Sequence, residues 1–457
     1  MGYNFPDAPT DGLVYSGYVW NAAKGAWEVQ GAANSGAVRY DTPQGLTDPQ
    51  KTQGRANIGA ASVADVAVGA VRYDTAQNLT EAQDAQARSN IYAAPFDALA
   101  YSGMQINGSM EVSQERGITP TATSNSHICD GWKFLFAGTT LAMTGAIQTP
   151  YTLFPGFNSV LYTTVSVAQA SIGADDFAML HHNIEGYRVS RLAWGTAAAR
   201  PITIAFWSAH TRTGLYSVAV RNADDNRSYV FTYTHNGSVS PQYNVVTIPG
   251  CPDGTWKTDN NAGIRLVFAI AMGSNSTTSS TNTWLTGTGK SAATGQINGV
   301  AATTDVFRIT GVVVLPGIEA PSAERSPLIM RPFDQELATC QRYWESTYDY
   351  GVAPGTASMP GADQMNLAVT ATAFQCTGGK GYSWKVVKRI APSVTLYSPV
   401  TGASNKIRDM TNGVDLVPIT GGAIDPGTMG LRLWSAQMLT AANTLSMATH
   451  IVANARL

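Results

Sequence analysis

Charge is what this chain has least of. Of its 457 residues only 13% are Asp, Glu, Lys or Arg, roughly half the usual share of about 25%. The 29 basic and 31 acidic side chains leave a formal net charge of −2. Phosphate binding needs an excess of clustered Lys and Arg, so no nucleic-acid partner is expected. Cysteine is scarce as well. Cys129, Cys251, Cys340 and Cys376 lie far apart with no CxxC spacing, which excludes a dense disulfide framework or a cysteine metal site and predicts free core thiols. Long apolar runs are missing. The longest, such as Ile264 to Met272, fall short of the roughly 18 residues that span a bilayer, so no membrane insertion is expected. The opening MGYNFPDAPTDG has neither the basic start nor the apolar stretch of a secretory signal, and no Sec export is expected.

Apolar residues reach 44%, near the norm, and 10 Trp, 19 Tyr and 13 Phe supply bodies that only a packed fold can bury. A repeat stands near the N-terminus. GAVRYDTPQGLTDPQKTQGRANIGAA from Gly36 recurs at an offset of 33 as GAVRYDTAQNLTEAQDAQARSNIYAA from Gly69. In each copy Val38 and Tyr40, then Val71 and Tyr73, alternate with polar residues as in a short strand. Thr47 and Thr80 follow as helix N-caps, each with Gln three residues on (Gln50, Gln83), and Pro49 falls in the first turn, where its missing N–H does little harm. Gly59 closes the first helix, whereas the second has Tyr92 there. Both helices are poor in apolar residues and would need packing from other chains about a common axis; the alternative is a solvated linker.

From about Met104 short β-rich runs alternate with Gly, Asn, Ser and Pro clusters. Candidate strands are Trp132 to Phe136, Ser159 to Ala168, Ile202 to Ser208, Leu215 to Arg221, Ser228 to Thr234, Tyr243 to Ile248, Ile264 to Met272 and Val306 to Leu315. Their number and turn chemistry predict an all-β sandwich, with one clear helix from Phe333 to Tyr343. ITIAFWS and RLVFAIAM read as strands covered on both faces, and of Phe206 and Trp207 at least one belongs to the core. A second β-rich block, Ala353 to Leu457, carries Tyr382 to Val387, Ser393 to Tyr397 and a run around Leu431 to Trp434.

Several segments together resemble the fibre proteins of tailed bacteriophages. FPDAPTDGLVYSGYVWNAAKGAWEV is similar to their N-terminal segment, and VRYDT…LT…Q is similar to their shaft repeats. The ordered series from Ile106 to Tyr343 (INGSMEVSQE, DGWKF, TGLYSVAVRN, GIRLVFAIAMGS, FRITGVVVLPG, ELATCQRYWEST) resembles a jelly-roll-like fibre domain. The resemblance implies a mainly β virion fibre protein, a homotrimer, built as an attachment hairpin (1–35), a shaft (36–100), a jelly-roll-like sandwich (101–348) and a C-terminal β-rich domain (349–457). It implies attachment to a tail, collar or head protein through the N-terminus and recognition of host cell-surface polysaccharide. Tyr15, Tyr18, Trp20 and Trp27, alternating about the Lys24-Gly25 turn, are the candidate virion-attachment residues. A collar or head decoration fibre, and a glycan depolymerase, remain the alternatives.

The chemistry-bearing motifs argue for binding without catalysis. TWLTGTGKSAATG fails the phosphate-loop pattern because Trp284 stands where Gly is required. His181 and His182 precede Asn183 and Glu185, yet adjacent side chains on a strand face opposite ways and cannot share one ion, so the segment reads as a polar loop and no metal or cofactor is expected. Depolymerase carboxylates would come from Asp175, Asp176, Glu185, Asp224 and Asp225, of which the two Asp-Asp pairs read first as turns. Sugars stack on exposed rings, and Trp284, Tyr348 and Tyr350, set in polar turn-like surroundings, are the candidate glycan-binding residues; the competing reading is a ring that caps the core.

Overall fold

The computed structural model describes residues 5–29, 47–58, 79–91, 93, 103–368, 373–374, 380–417, 424–433, 439–440 and 444–457. The strand patterns around Val38 and Val71, the helix ends at Gly59 and Tyr92, and Cys376 and Trp434 lie outside the described residues. The chain divides into two compact units, Met1–Thr80 and Glu81–Leu457.

In the first unit, strands β1 (Val14–Tyr15), β2 (Tyr18–Asn21) and β3 (Ala26–Val29) form an antiparallel three-stranded sheet, one strand more than the expected hairpin. Its turn is drawn tight by Asn21, whose carbonyl and side chain both accept from the Lys24 amide at 3.2 Å, with Gly25 left-handed at φ +59°. The first repeat helix, α1 (Asp48–Ile58), begins as its sequence predicts. The Gln50 side chain reaches back to accept from the Thr47 amide at 2.8 Å, which is half of a capping box. In the second unit lies α2 (Glu81–Asn90), and Arg88 in its last turn pairs with Glu319.

The sandwich of the second unit is jelly-roll-like and antiparallel. Its first strands are β4 (Ser126–Cys129), β5 (Trp132–Ala137), β6 (Ala142–Gln148), β7 (Val160–Val167) and β8 (Phe177–Glu185). The middle ones are β9 (Ile202–Ser208), β10 (Gly214–Arg221), β11 (Arg227–His235), β12 (Gln242–Ile248) and β13 (Ala262–Met272). Short strands β14 (Thr277–Thr278), β15 (Trp284–Thr286) and β16 (Ala292–Ala293) precede the long β17 (Val306–Pro316). The large sheet runs β15-β11-β10-β13-β8-β5-β4 and the small one β12-β9-β17-β7-β6. Between them lies one core containing Trp132, Phe134, Leu180, Phe206, Val218, Leu266 and Phe268.

ITIAFWS is buried at every position because it has two apolar partners. Ile202, Ile204 and Phe206 enter the main core, whereas Ala205 and Trp207 face outward beneath loop residues that include Phe154, Phe157 and Met330. Phe206 and Trp207 are therefore both core residues, of different cores. The segment His181 to Glu185, read from sequence as a loop, belongs to β8, an error with a physical cause: its polar residues alternate with Leu180, His182 and Ile184, which face inward.

Helix α3 (Phe333–Gln341) leads into the C-terminal block, two residues shorter than expected. There the strand Thr444–Asn454 is the spine: Trp344–Ser346, Asp363–Ala368, Ser393–Tyr397 and Ile407–Asp409 all pair with it. Lys380–Ser383 is a strand, but Trp384 to Val387 are not. Cys129, Cys251 and Cys340 are free and buried.

Candidate functional site

The two outer faces of the sandwich differ. The outer face of the small sheet is roofed by apolar loops, whereas that of the large sheet is roofed at one end only, where Ala292–Ala293 of β16 lies over Ala219, Val230 and Val267. The Ala293 amide donates there to Ser217 Oγ at 2.9 Å. Across the rest of this face the pleat brings polar residues of five strands together. His127 is directly opposite Lys133, and Lys133 opposite His181. One row along, Asn183 is opposite Arg265, and Arg265 opposite Arg221.

A narrow pocket opens among His127, Asp130, Lys133, His181, Asn183 and Arg456, with room at its floor for little more than a water molecule. Burial, then the charges of Arg265, Lys133 and Arg221, pushes the His181 imidazole down to about 3, so it is neutral at physiological pH. Burial and the neighbouring Arg456 and Arg265 also lower Lys133. Asp130 is held by Gln114, whose amide and side chain donate to it at 2.8 and 2.9 Å; burial raises its carboxyl.

The β10–β11 turn supplies a carboxylate to the arginine row. Asn222 Oδ1 accepts from the amides of Asn226 and Arg227 at 3.0 and 3.1 Å, and this fold-back leaves Asp225 left-handed at φ +53°. Asp225 thereby reaches Arg265 at 2.8 Å and Arg221 at 3.1 Å. Even so, buried polar atoms of this face remain without a hydrogen-bond partner: Nε of Arg221, Arg265 and Arg456, Nε2 of His181, and Oδ1 of Asn183 and of Asp225. Polar atoms left so in a fold are unfavourable unless a ligand or water completes them.

His182, by contrast, is complete. It stacks on Trp132 at 4.5 Å; its Nδ1 donates to Gly131 O at 2.8 Å and its Nε2 accepts from the Ile106 amide at 3.4 Å, which requires the neutral ring. The two histidines do face opposite sides of the sheet, and among the described residues no group of three or more His, Cys, Asp or Glu could hold a metal ion.

The aromatic candidates take different positions. Trp284 packs edge-on against Trp194 and Trp256 at 5.3 and 5.5 Å and donates its indole N–H to Pro249 O at 2.9 Å, closing one end of the main core. Tyr348, 5% exposed, stacks on His450 at 3.6 Å and leaves no open face for a sugar. Tyr350 is 50% exposed, with its hydroxyl anchored between the Glu111 carbonyl and the Ser113 amide, both at 3.1 Å, and Phe333 stands edge-on to it at 5.4 Å. Sequence reasoning passed over the polar face because its members come from five separate strands and a C-terminal residue. Like-charged residues opposite one another were the signal, and it needs the register.

In the first unit, Trp20 and Trp27 are directly opposite and their rings lie 5.6 Å apart. Phe5, which sequence reasoning passed over, stacks on Trp27 at 4.9 Å and meets Tyr18 edge-on at 5.4 Å, while Tyr15 remains 41% exposed.

The five carboxylates do not converge. Glu185 is buried against Arg342 at 2.6 and 2.9 Å, with Tyr343 donating its hydroxyl at 2.6 Å. Asp176 accepts from the Gly173 amide at 2.7 Å within a turn, and Asp175 from the Asn275 side chain at 2.7 Å. Asp224 faces Lys257 at 3.3 Å, and Asp225 belongs to the arginine row.

No family model matches the sequence, and no curated protein does. Solved structures that match include the enzymatically active domain of tailspike protein 4 of bacteriophage CBA120, 13% identical with a TM-score of 0.24, the match spanning 43% of this chain and 21% of that domain. A family 11 carbohydrate-binding module from Clostridium thermocellum, in complex with a mixed-linked tetrasaccharide, is 10% identical with a TM-score of 0.23 over 44% of this chain and 98% of the module. A sugar-binding protein of Bacteroides thetaiotaomicron is 11% identical with a TM-score of 0.25 over 47% and 99%. Scores this low carry no inference about function, and none is drawn from them.

Proposed function

We propose that this chain is the subunit of a bacteriophage fibre that binds host-surface polysaccharide and performs no chemistry on it. The observation that carries the binding reading is the uncovered face of the large sheet, where half-buried polar side chains surround a pocket with hydrogen-bonding atoms unspent. A polyhydroxylated ligand supplies acceptors and donors at that density, and the exposed Tyr350 and Phe333 rings offer an apolar surface of the kind that sugar faces stack against. The fibre reading rests on the sequence resemblance. In it the aromatic sheet of Tyr15, Tyr18, Trp20 and Trp27 docks on a tail, collar or head protein, and three chains assemble so that weak sugar contacts gain by multivalency.

The test uses the full-length protein. Light scattering should give the mass of three subunits, and the protein should bind host cells and reduce adsorption of the virus. A trimer that binds the particle without competing for cells would assign it to collar or head decoration. New reducing ends released from host polysaccharide would make it a depolymerase.

A further inference from the structure

We propose that the uncovered face recognises an anionic sugar, with the carboxylate of a uronic acid or a related acidic residue seated against Lys133, His181, Arg265 and Arg221. This rests on the glycan-binding reading and narrows its ligand class. Sheets disfavour like charges set directly opposite one another, yet Arg221 is opposite Arg265, while Lys133 stands between two neutral histidines, His127 and His181, with no carboxylate opposite it. The carboxylates on the face do not balance the cations. Asp225 is shared by two arginines, Glu115 serves Arg456 and, at 3.9 Å, Arg116, Asp130 in the pocket accepts from Gln114, and Lys133 has no ion pair among the described residues. In a chain of net charge −2 this excess is local and not a by-product of a basic composition.

The unspent atoms have the same bias. Three of the six are guanidinium Nε–H groups, which only donate, against two acceptor oxygens on Asn183 and Asp225, so the missing partner must supply more acceptors than donors. Planar guanidinium forks match the two oxygens of a carboxylate, and a charge-assisted bond there is about twice as strong as a neutral one. Phosphate-substituted polymers share this anionic chemistry, and the experiment separates the two sources.

The full-length protein would be run by affinity electrophoresis in gels containing polygalacturonate, alginate, their carboxyl-reduced forms, a glycerol-phosphate wall polymer, or neutral dextran and galactan. The expected result is retardation by uronate polymers that disappears on carboxyl reduction and weakens about tenfold in Arg265→Gln and in Lys133→Gln, with Arg265→Lys between. Lys133 is partly buried and has no ion pair among the described residues, so Lys133→Gln keeps the test decisive should Arg265→Gln fail to fold. Retardation confined to the phosphate polymer, and lost in the same variants, would keep the anionic site and overturn the carboxylate. Retardation by neutral polymers, or retardation unaffected by either variant, would overturn the anionic ligand and leave glycan binding standing. No retardation by any polymer, together with no binding to host cells, would remove both.

Discussion

The two sheets of the sandwich present outer faces of opposite character, and the contrast separates what stabilises this fold from what it offers to a ligand. Outside the small sheet, Ala205, Trp207, Val313 and Leu315 lie with Tyr243 of β12 under loop residues such as Phe154 and Met330, a second and third apolar cluster behind the main core. Outside the large sheet the equivalent positions carry His127, Lys133, His181, Asn183, Arg265 and Arg221. Closing the first face removes apolar surface from water at about 25 cal/mol per Å². Leaving the second open holds like charges together with their hydrogen bonds incomplete, an arrangement that a binding surface explains and stability does not.

Truncation should expose this difference most strongly. Phe206→Ala and Trp207→Ala remove neighbouring rings on opposite sides of β9, and each should destabilise by about 3–5 kcal/mol in chemical denaturation. A loss under about 1 kcal/mol for Trp207→Ala would mean that the loop roof contributes little and that the two outer faces are energetically alike.

Acid should act next, through the inward-facing histidine. Burial holds His182 down at about 4 against roughly 6.5 in an unfolded chain, so as pH falls the unfolded state takes up the proton first. The stability His182 contributes is complete above about pH 6.5 and is lost progressively as pH falls toward 4, by up to about 3 kcal/mol. Denaturation measured across that window should show stability falling with pH, and a flat profile would refute the neutral buried ring. His181 is lowered too, to about 3, and its share of the loss should vanish in His181→Gln.

A smaller effect is expected in the first unit. Gln50→Ala removes the acceptor of the Thr47 amide at the start of α1 at a cost of about 1 kcal/mol, read as faster hydrogen exchange at the Thr47 amide. Smallest of all, Arg265→Gln on the open face should leave stability within about 0.5 kcal/mol, because the lost ion pair is offset by relief from Arg221. A loss of several kcal/mol would make the arginine row a structural element and the comparison of faces false.

Much of the sandwich was legible. Ile202–Ser208 and Ser393–Tyr397 were read with their bounds intact, the first as a run apolar on both faces and each as a β-rich run that begins straight after a Pro. Thr47 and Gln50 marked the start of α1 because a capping box is local chemistry. Phe177–Glu185 and Thr444–Asn454 were missed although each is central to its sheet. In the first, a core histidine and a surface histidine stand side by side, and in the second LSMATHIVAN mixes small and polar residues whose burial is conferred by partners far along the chain. The aromatic candidates show the same limit. A Tyr in a polar stretch could be open or covered, and only packing separated Tyr350 from Tyr348.

By itself, then, the sequence determined the β class, the sandwich, the helix starts and the apolar faces, all of which follow from periodicity and turn chemistry within a few residues. Tertiary structure alone decided which outer face is roofed and which cations oppose one another. Those depend on register between strands as much as 138 residues apart, from His127 to Arg265, and register is set by the whole core and not by any one segment.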